Sequence, residues 1–359
     1  MADPDAHALP PFLAACRSMP TTRTPVWFMR QAGRSLPEYR AIRGEGSILD
    51  AIKVPDLSTE ITLQPVRRYG VDAAILYSDI VVPVHAIGFG VDIAPGVGPV
   101  VEAPFEREAD LARLRPLEPE EDTPWVLETV RQLVAELPAA VPLIGFAGAP
   151  FTVASYLIDG RPSRTYEKTK AMMLGEPALF SRLLDAIATL SLASLRSQVQ
   201  AGAQAFQLFD SWAGALSVSD YRTHVLPASQ RIFAGMADLG VPGIHFGVAT
   251  GELLTSMADA GPDVVGVDWR VPLDAARSRL GDRVAVQGNL DPEAAFAPWP
   301  VLEAKVHEVL EANQGRPGHV FNLGHGVLPG TDPDQLARVV ETVHATGPCA
   351  TAGAAAATG

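Results

Sequence analysis

Short apolar runs alternate with longer amphipathic segments along most of this chain, and that alternation constrains the fold more than any other feature. The runs are five to seven residues long and lack a polar residue at every second position, which is typical of strands buried on both faces of a parallel sheet. They occupy residues 25–29, 72–77, 141–147, 203–209, 242–246, 263–267, 283–287 and 319–323. The amphipathic segments with helical spacing are 125–137, 177–199, 221–239, 251–260, 273–280, 301–312 and 334–344.

Eight such strands with helices between them fit a closed barrel better than a doubly wound sheet, since no linker or change of composition divides the chain. The sequence therefore predicts an α/β fold, a single-domain (β/α)8 TIM barrel, over residues 1–348. Glycines within 88–104 predict a hairpin inserted after the second strand. The low-complexity segment 349–359 is predicted to be a disordered tail.

The net charge limits the classes of ligand that the protein can attract. A formal charge of -13 produces a long-range field that repels nucleic acid and anionic membranes. We therefore expect neither as a partner. An anionic small molecule must be met by a local group of basic residues.

Three features of the sequence predict a cytoplasmic protein without a membrane span. The two cysteines, Cys16 and Cys349, offer neither a disulfide framework nor a CxxC pair. Residues 1–20 lack the basic and apolar regions of a signal peptide. Residues 137–158 carry no charge and are long enough to cross a bilayer, but their prolines and glycines predict a buried strand and a loop instead.

Polar residues follow most of the predicted strands, at the end of a barrel where loops from different strands converge. We therefore expect these side chains to share one cavity, although an aspartate after a strand is also a common helix cap or turn former. In chain order they are Arg30, Gln31, Arg34, Ser78, Asp79, Gly148, Tyr156, Asp210, Ser211, Asp268, Asn289, Asp291 and His325.

The stretch PVWFMRQAGRSLPEYR, residues 25–40, places Arg30, Arg34 and Arg40 directly after the first predicted strand. A planar guanidinium matches a carboxylate or phosphate in a bidentate way, so several arginines on one loop of an acidic protein indicate a polyanionic small molecule. The alternative is a set of surface ion pairs with the acidic residues nearby. That alternative suits Arg40 better than Arg30, which lies at the strand's inner end.

Other chemistries find less support in the motifs. The segments GFGVD and LGHGVLPG contain no GxGxxG that opens a helix, and the chain has no GK[ST], so nucleotide binding is not expected. His245 and His325 occur without HxH or HExxH spacing, and no cysteine lies within the barrel strands, which argues against a metal site. Ser211 lacks the G-x-S-x-G elbow of serine hydrolases.

Several stretches resemble the uroporphyrinogen decarboxylase family. Residues 25–40 resemble its first signature and GFAGAPFTVASYLIDG (145–160) its second, while QLFDSWAG, QGNLDP and FNLGHGVLPGTDP add further similarity. The resemblance implies a cytoplasmic, homodimeric (β/α)8 enzyme of haem biosynthesis. Such enzymes convert uroporphyrinogen III to coproporphyrinogen III by removing four acetate carboxyl groups, with no cofactor and no metal. Asp210 and Trp212 depart modestly from the family's pattern, at the rim of the expected pocket.

The resemblance also implies a set of site residues. The expected catalytic residues are Asp79, Arg30, Tyr156 and His325, and the expected substrate contacts are Arg30, Gln31, Ala32, Gly33, Arg34, Arg43, Asp79, Tyr156, Phe209, Ser211 and His325. This set suits the substrate, because its rim of eight carboxylates needs cations and its four pyrrole N–H groups need an acceptor such as Asp79. The residues do not identify the proton donor. Arg30 is the candidate for the acid or for a clamp on the substrate carboxylate, and His325 and Tyr156 are candidates for hydrogen-bond donors that orient the substrate.

Two rival functions stay open at this point. A zinc-dependent corrinoid methyltransferase has a similar fold but needs a histidine and cysteine ligand set that the barrel region lacks. A non-catalytic tetrapyrrole binder would share the arginine loop and differ only in turnover.

Overall fold

The computed structural model describes residues 9–44, 46–94 and 96–347, and the prediction of a disordered tail at 349–359 lies outside them. A curled sheet of seven parallel strands has the order β1-β4-β5-β6-β7-β8-β9, and β2 and β3 form a separate antiparallel pair. The strands are β1 Ala74–Ile75, β2 Val91–Ala94, β3 Gly98–Val101, β4 Leu143–Gly148, β5 Ala205–Phe209, β6 Gly243–Phe246, β7 Val264–Gly266, β8 Ala285–Gln287 and β9 His319–Val320. The predicted α/β barrel class is confirmed, and the pair β2–β3 is the predicted hairpin.

Helices cover the outside of the sheet. The α-helices are α1 Pro11–Cys16, α2 Pro37–Arg43, α3 Ile48–Ile52, α4 Pro55–Tyr69, α5 Val82–Ala86, α6 Pro119–Asp122, α7 Pro124–Glu136, α8 Pro150–Asp159, α9 Glu167–Gly175, α10 Pro177–Gln200, α11 Val218–Asp220, α12 Leu226–Met236, α13 Leu254–Ala258, α14 Leu273–Leu280, α15 Trp299–Asn313 and α16 Pro333–Ala345. Short 3₁₀ segments are Glu108–Arg113, Ala213–Ala215, Ala237–Leu239, Gly251–Leu253 and Pro292–Phe296.

The first predicted strand, residues 25–29, is an extended segment rather than a regular strand. It lies between the two edges of the sheet: Val26 bridges Phe321 in parallel, and its carbonyl accepts a hydrogen bond from the Asp72 N–H at 2.7 Å. A regular ladder of backbone hydrogen bonds does not form, because Pro25 has no N–H and the Val26 N–H donates to the Asp72 side chain at 2.8 Å. The segment still fills the eighth position of the barrel and so delivers Arg30 to its rim.

The helix predicted over 221–239 is divided into three parts. Tyr221–Val225 forms a π-helical turn before α12, and Ala237–Leu239 ends the segment as a 3₁₀ turn. Pro227 explains the first change, because its ring nitrogen cannot donate to the carbonyl of the preceding turn. The segment predicted over 251–260 likewise begins as a 3₁₀ turn before α13.

Helix α10 is the longest helix among the described residues, with 24 residues. By length and composition alone it is apolar enough to cross a membrane, but 56% of its most apolar window is buried inside the protein. It packs on β4, α8 and α12 with residues such as Phe180, Leu184 and Ile187 in the core. The charge-free stretch 137–158 forms β4, the buried strand that the sequence predicted, but the predicted loop is wrong, since most of it is helix α8, with Pro150 at the first helical position where a proline is tolerated.

Candidate active site

Arg30 is the centre of the site at the carboxyl ends of the strands. It follows the extended segment 25–29, and its backbone adopts a left-handed conformation with φ 59°. Its side chain lies against Gly326, where a Cβ atom would come within 2.4 Å of the Arg30 Cδ atom. The glycine therefore allows the arginine to cross the loop that carries His325. The positive charge of Arg30 acts to lower the pKa of His325, and it opposes the larger effect of burial, which raises the pKa of Asp79 and of Tyr156, so Arg30 interacts electrostatically with all three.

Asp79 lies just after β1 and is half-buried. Its Oδ1 atom accepts a hydrogen bond from the Val81 N–H at 3.0 Å, so part of the carboxylate serves as the local turn former that one interpretation of the sequence expects. Burial raises the pKa of Asp79, while the backbone N–H groups of Val81 and Ile80 and the charge of Arg30 act in the opposite direction. The carboxylate therefore lies in a desolvated place where a cation is favoured.

His325 has a defined tautomer. Its Nδ1 atom accepts a hydrogen bond from the Gly326 N–H at 2.7 Å, so the proton of the neutral ring is on Nε2. Burial, followed by the charges of Arg30 and Arg270, lowers the pKa of His325 to about 4. The ring stacks on Trp269 with an interplanar angle of 22°. Near neutral pH, His325 is a hydrogen-bond donor through Nε2 and carries no charge.

This assignment gives a pH prediction. Because the lowered pKa of His325 keeps its ring neutral in the free enzyme, kcat/KM should show no ionisation of His325 between about pH 5.5 and 8. Protonation of His325 should begin to lower kcat/KM only as the pH falls towards 4. The measurement is the pH profile of kcat/KM for the wild-type enzyme and for His325→Gln. A fall in kcat/KM at acid pH with an apparent pKa near 6.5, present in the wild-type enzyme and absent from His325→Gln, would contradict a neutral His325 in this range.

Tyr156 is on α8 and is 7% exposed. Burial raises its pKa to about 12, with Asp79 adding to the rise and Trp212 and Arg30 opposing it. The phenol therefore keeps its proton and can donate a hydrogen bond. Trp212 contacts the ring edge to face, with centroids 6.2 Å apart.

Phe209 and Ser211 lie at the end of β5. Phe209 contacts Phe146 and Phe246 at centroid distances of 5.4 and 6.0 Å, and the three rings form an apolar floor inside the barrel. Ser211 is half-buried in the turn that follows. An apolar floor below polar walls suits a ligand with a flat, apolar centre.

The arginine loop makes few internal ion pairs. Arg30, Arg34 and Arg43 form no salt bridge with any carboxylate of residues 9–44, 46–94 or 96–347. Glu38 pairs instead with Arg68 at 3.2 Å, and Asp50 accepts the Ser47 N–H as part of a capping box. The surface ion pairs considered for this loop are therefore not formed with those two residues; Glu45 lies outside the described residues.

The individual loop residues differ in availability. Arg30 and Arg34 are exposed, Ala32 and Gly33 are half-buried, and Arg43 interacts with Tyr77 and with backbone carbonyls. The Gln31 side chain is fully buried, accepting the Phe28 N–H at 3.0 Å and donating to the Ala73 carbonyl at 3.1 Å. The structure thus uses this side chain to brace the loop and does not bring it to the cavity.

Other polar residues after the strands are engaged within the protein. The Asp268 carboxylate accepts the Arg270 and Ala249 N–H groups, and the Asn289 amide donates to two carbonyls. Asp291 caps the 3₁₀ turn Pro292–Phe296. Within the described part of the chain, no three His, Cys, Asp or Glu side chains are grouped so that they could hold a metal ion.

Sequence reasoning did not single out two residues that shape the site: Trp269 stacks on His325, and Thr152 hydrogen-bonds to Asp210. Trp212, which the sequence placed at the rim of the pocket, contacts Tyr156. Trp269 and Trp212 each directly follow a polar residue at a strand end, and this position was the available signal. Thr152 gave none, because its partner is 58 residues away in the sequence.

A barrel that carries arginines without ion pairs to described carboxylates after its first strand, one of which acts on a carboxyl group affected by burial, is typical of an enzyme acting on a small anionic substrate. The comparisons with known proteins specify the class further. The family model described as uroporphyrinogen decarboxylase (URO-D) matches residues 8–346, and the chain belongs to this family. It is accordingly a carboxy-lyase of porphyrin and haem biosynthesis.

The similar proteins agree with this assignment. A uroporphyrinogen decarboxylase from Salinispora tropica is 63% identical over 334 residues, which cover 93% of this chain and 90% of that protein. One from Streptomyces coelicolor is 60% identical and covers 93% of each chain. Among solved structures, a methyltransferase from Methanosarcina mazei has a TM-score of 0.74 at 19% identity and covers 92% of this chain and 96% of its own. That structural likeness supports the fold alone.

Proposed function

We propose that this protein removes the four acetate carboxyl groups of uroporphyrinogen III to give coproporphyrinogen III and four molecules of CO2. The observation that carries the proposal is that Arg30, which has no salt bridge to a described carboxylate, interacts electrostatically with Asp79, whose pKa is raised by burial. A substrate with carboxylates at its rim and N–H donors at its centre fits cations around an acceptor. The single barrel domain is proposed to extend over residues 1–348.

The chemical difficulty is the electron pair left when CO2 departs. Protonation of the adjacent pyrrole carbon creates an iminium-like cation that accepts this pair. Protonation of the resulting exocyclic carbon and loss of the ring proton then give a methyl group, so each acetate takes up one proton and releases one CO2. The substrate supplies its own electron sink, and we therefore propose that no cofactor and no metal is required.

Asp79 has two roles in this proposal. Its carboxylate accepts hydrogen bonds from the pyrrole N–H groups and stabilises the cationic ring in a place where water competes little. The desolvation that raises the pKa of Asp79 also makes a nearby cation more favourable. The same group thus binds the macrocycle and lowers the barrier.

The remaining site residues bind and orient. Arg30, Arg34 and Arg43 are proposed to hold substrate carboxylates, assisted by the backbone of Gln31, Ala32 and Gly33. His325 and Tyr156 keep their protons near neutral pH and act as donors, and Arg30 is the candidate for the acid or for a clamp on the reacting carboxylate. Phe209 is proposed to pack on the macrocycle, with Ser211 at its edge.

The molecular setting is also a proposal. We expect a cytoplasmic homodimer that binds neither membrane nor nucleic acid, since the chain carries a net charge of -13. The corrinoid methyltransferase alternative is not favoured, because the family model that matches is that of the decarboxylases.

The test is an anaerobic assay with uroporphyrinogen III and enzyme that has been dialysed against a chelator. Products with eight, seven, six, five and four carboxyl groups are separated and quantified. Ordered accumulation of the four-carboxyl product supports the proposal. Binding without turnover would leave the non-catalytic tetrapyrrole binder, and activity that returns only with zinc would favour the methyltransferase alternative.

Arg34 provides a direct test of the arginine loop. Replacing it by alanine removes an exposed, unpaired guanidinium, so folding should be unaffected while kcat/KM falls roughly 10- to 100-fold, mainly through KM. Arg67→Ala, which removes an exposed guanidinium paired with Glu60, is the control because it leaves the arginine loop untouched. Wild-type kinetics for Arg34→Ala would place this arginine outside the binding site.

A further inference from the structure

Asp210 is a fully buried carboxylate directly behind the site, and the proposed chemistry does not use it. Its N–H donates to the Phe246 carbonyl at 2.7 Å, which fixes its backbone at the end of β5. Its Oδ1 atom accepts a hydrogen bond from the Thr152 hydroxyl at 3.0 Å. Burial of a carboxyl group without full hydrogen bonding costs free energy of folding, so an aspartate at this buried place calls for a physical reason.

The Thr152 hydroxyl forms two hydrogen bonds, one as donor and one as acceptor. The Thr152 hydroxyl donates to Asp210 Oδ1, and an oxygen lone pair is left to accept the Trp212 N–H at 3.2 Å. Thr152 is itself fully buried, without water to replace either partner. The orientation of the hydroxyl, and hence its bond to the Trp212 backbone, follows from the acceptor at Asp210.

This pair connects two elements that carry proposed substrate contacts. Thr152 lies one helical turn before Tyr156 on α8, and residues four apart share a helix face. Trp212 directly follows Ser211, and its ring contacts the Tyr156 ring edge to face. Loss of the Thr152–Trp212 bond would weaken the attachment of the turn after β5 to α8 and leave the ring contact with Tyr156 to hold it.

We propose that Asp210 is a positioning residue that acts through Thr152 to hold Tyr156 and the Ser211–Trp212 turn in the geometry required by the substrate. The inference rests on the roles proposed above for Tyr156 and Ser211. Sub-ångström positioning matters because small displacements of substrate contacts can lower the rate about 100-fold.

The second carboxylate oxygen indicates which property of Asp210 matters. Asp210 Oδ2 has no hydrogen-bond partner among the described residues, and it lies 3.8 Å from the equally buried, unpartnered His245 Nε2 atom. His245 Nδ1 lies 3.3 Å from the Met257 carbonyl, which only accepts, so Nε2 is an acceptor in the neutral ring. An asparagine at position 210 could keep Oδ1 on Thr152 and direct its NH2 group to His245.

The experiment compares four variants with the wild-type enzyme. We expect Thr152→Val and Asp210→Leu to lower kcat/KM about 10- to 100-fold, with most of the loss in kcat. Thr152→Ser and Asp210→Asn keep the hydroxyl and the acceptor, so both should remain within about threefold of wild type. Thr129→Val is the matched control, because Thr129 is buried in α7 and, among the described residues, its hydroxyl bonds only to the Trp125 carbonyl of its own helix.

A double mutant shows whether Asp210 and Thr152 act together or independently. If Asp210 acts only through Thr152, the variant with Thr152→Val and Asp210→Leu should be no less active than the worse single variant. Multiplicative losses overturn the inference. So does a fully active Thr152→Val enzyme, or an Asp210→Asn enzyme as impaired as Asp210→Leu, since the charge would then be the relevant property.

The two proposals fail in different ways. A wild-type protein without turnover of uroporphyrinogen III refutes the proposed function. An active wild type whose Thr152→Val variant is unimpaired refutes the positioning role alone. If Asp210→Leu does not fold, the Thr152→Val and Thr152→Ser pair still tests the hydroxyl, because valine preserves the shape of threonine and serine preserves its hydroxyl, and Asp210→Asn still tests whether an uncharged acceptor at position 210 is sufficient.

Discussion

Replacing Arg30 by alanine is expected to lower kcat/KM about 100- to 1000-fold while the fold stays intact. The guanidinium acts electrostatically on Asp79, Tyr156 and His325 together, so its removal changes the whole site rather than one contact. It forms no salt bridge with a described carboxylate, and the loss should therefore appear in kinetics and hardly in the free energy of unfolding. The measurements are steady-state kinetics and urea unfolding.

Arg30→Lys separates two roles of this residue. Lysine keeps the charge but lacks the planar fork, so a clamp that needs bidentate contact should be lost while general electrostatic attraction remains. We expect most of the kcat defect to persist in Arg30→Lys. Arg67→Ala is the control, since Arg67 pairs with Glu60 on the outside of α4. Similar kinetics for Arg30→Ala and Arg67→Ala would remove Arg30 from the site.

The barrel could be predicted because its signal is local. Each apolar run with its following amphipathic segment marks one strand–helix unit, and α14 begins and ends at the residues predicted, Leu273 and Leu280. The exception was the segment 25–29, where sequence hydrophobicity resembled that of a strand. The Asp72 carboxylate, distant in sequence, takes the hydrogen bond that a ladder would use.

The site was predictable in its charged members and less so in its supporting ones. Arg30 interacts electrostatically with Asp79, Tyr156 and His325, which come after different strands of the barrel, and their union in one substrate site stays a prediction. Gln31 belongs to the same motif, yet its side chain forms hydrogen bonds with two backbone groups inside the protein. No pattern in the sequence distinguishes a side chain that faces a ligand from one that satisfies a buried loop.

Asp79→Asn tests the central electrostatic assumption. Asparagine has nearly the same shape and can still accept the Val81 N–H through its carbonyl oxygen, but it brings no negative charge. If Asp79 only held the macrocycle, KM would rise and kcat would change little. Because we expect it also to stabilise a cationic ring, kcat for the first acetate should fall roughly 10- to 1000-fold, with folding intact.

The control for Asp79→Asn is Asp332→Asn, because Asp332 caps α16 by accepting the Asp334 N–H at 2.9 Å and is not one of the expected site residues. Asparagine caps as well as aspartate, so a merely local role predicts near-normal kinetics for both variants. The electrostatic role predicts that only Asp79→Asn loses kcat, since the neutral amide cannot offset positive charge developing on the ring in a desolvated site. Near-normal turnover by Asp79→Asn would leave Asp79 with its turn-forming bond to Val81 and would require another group to stabilise the cation.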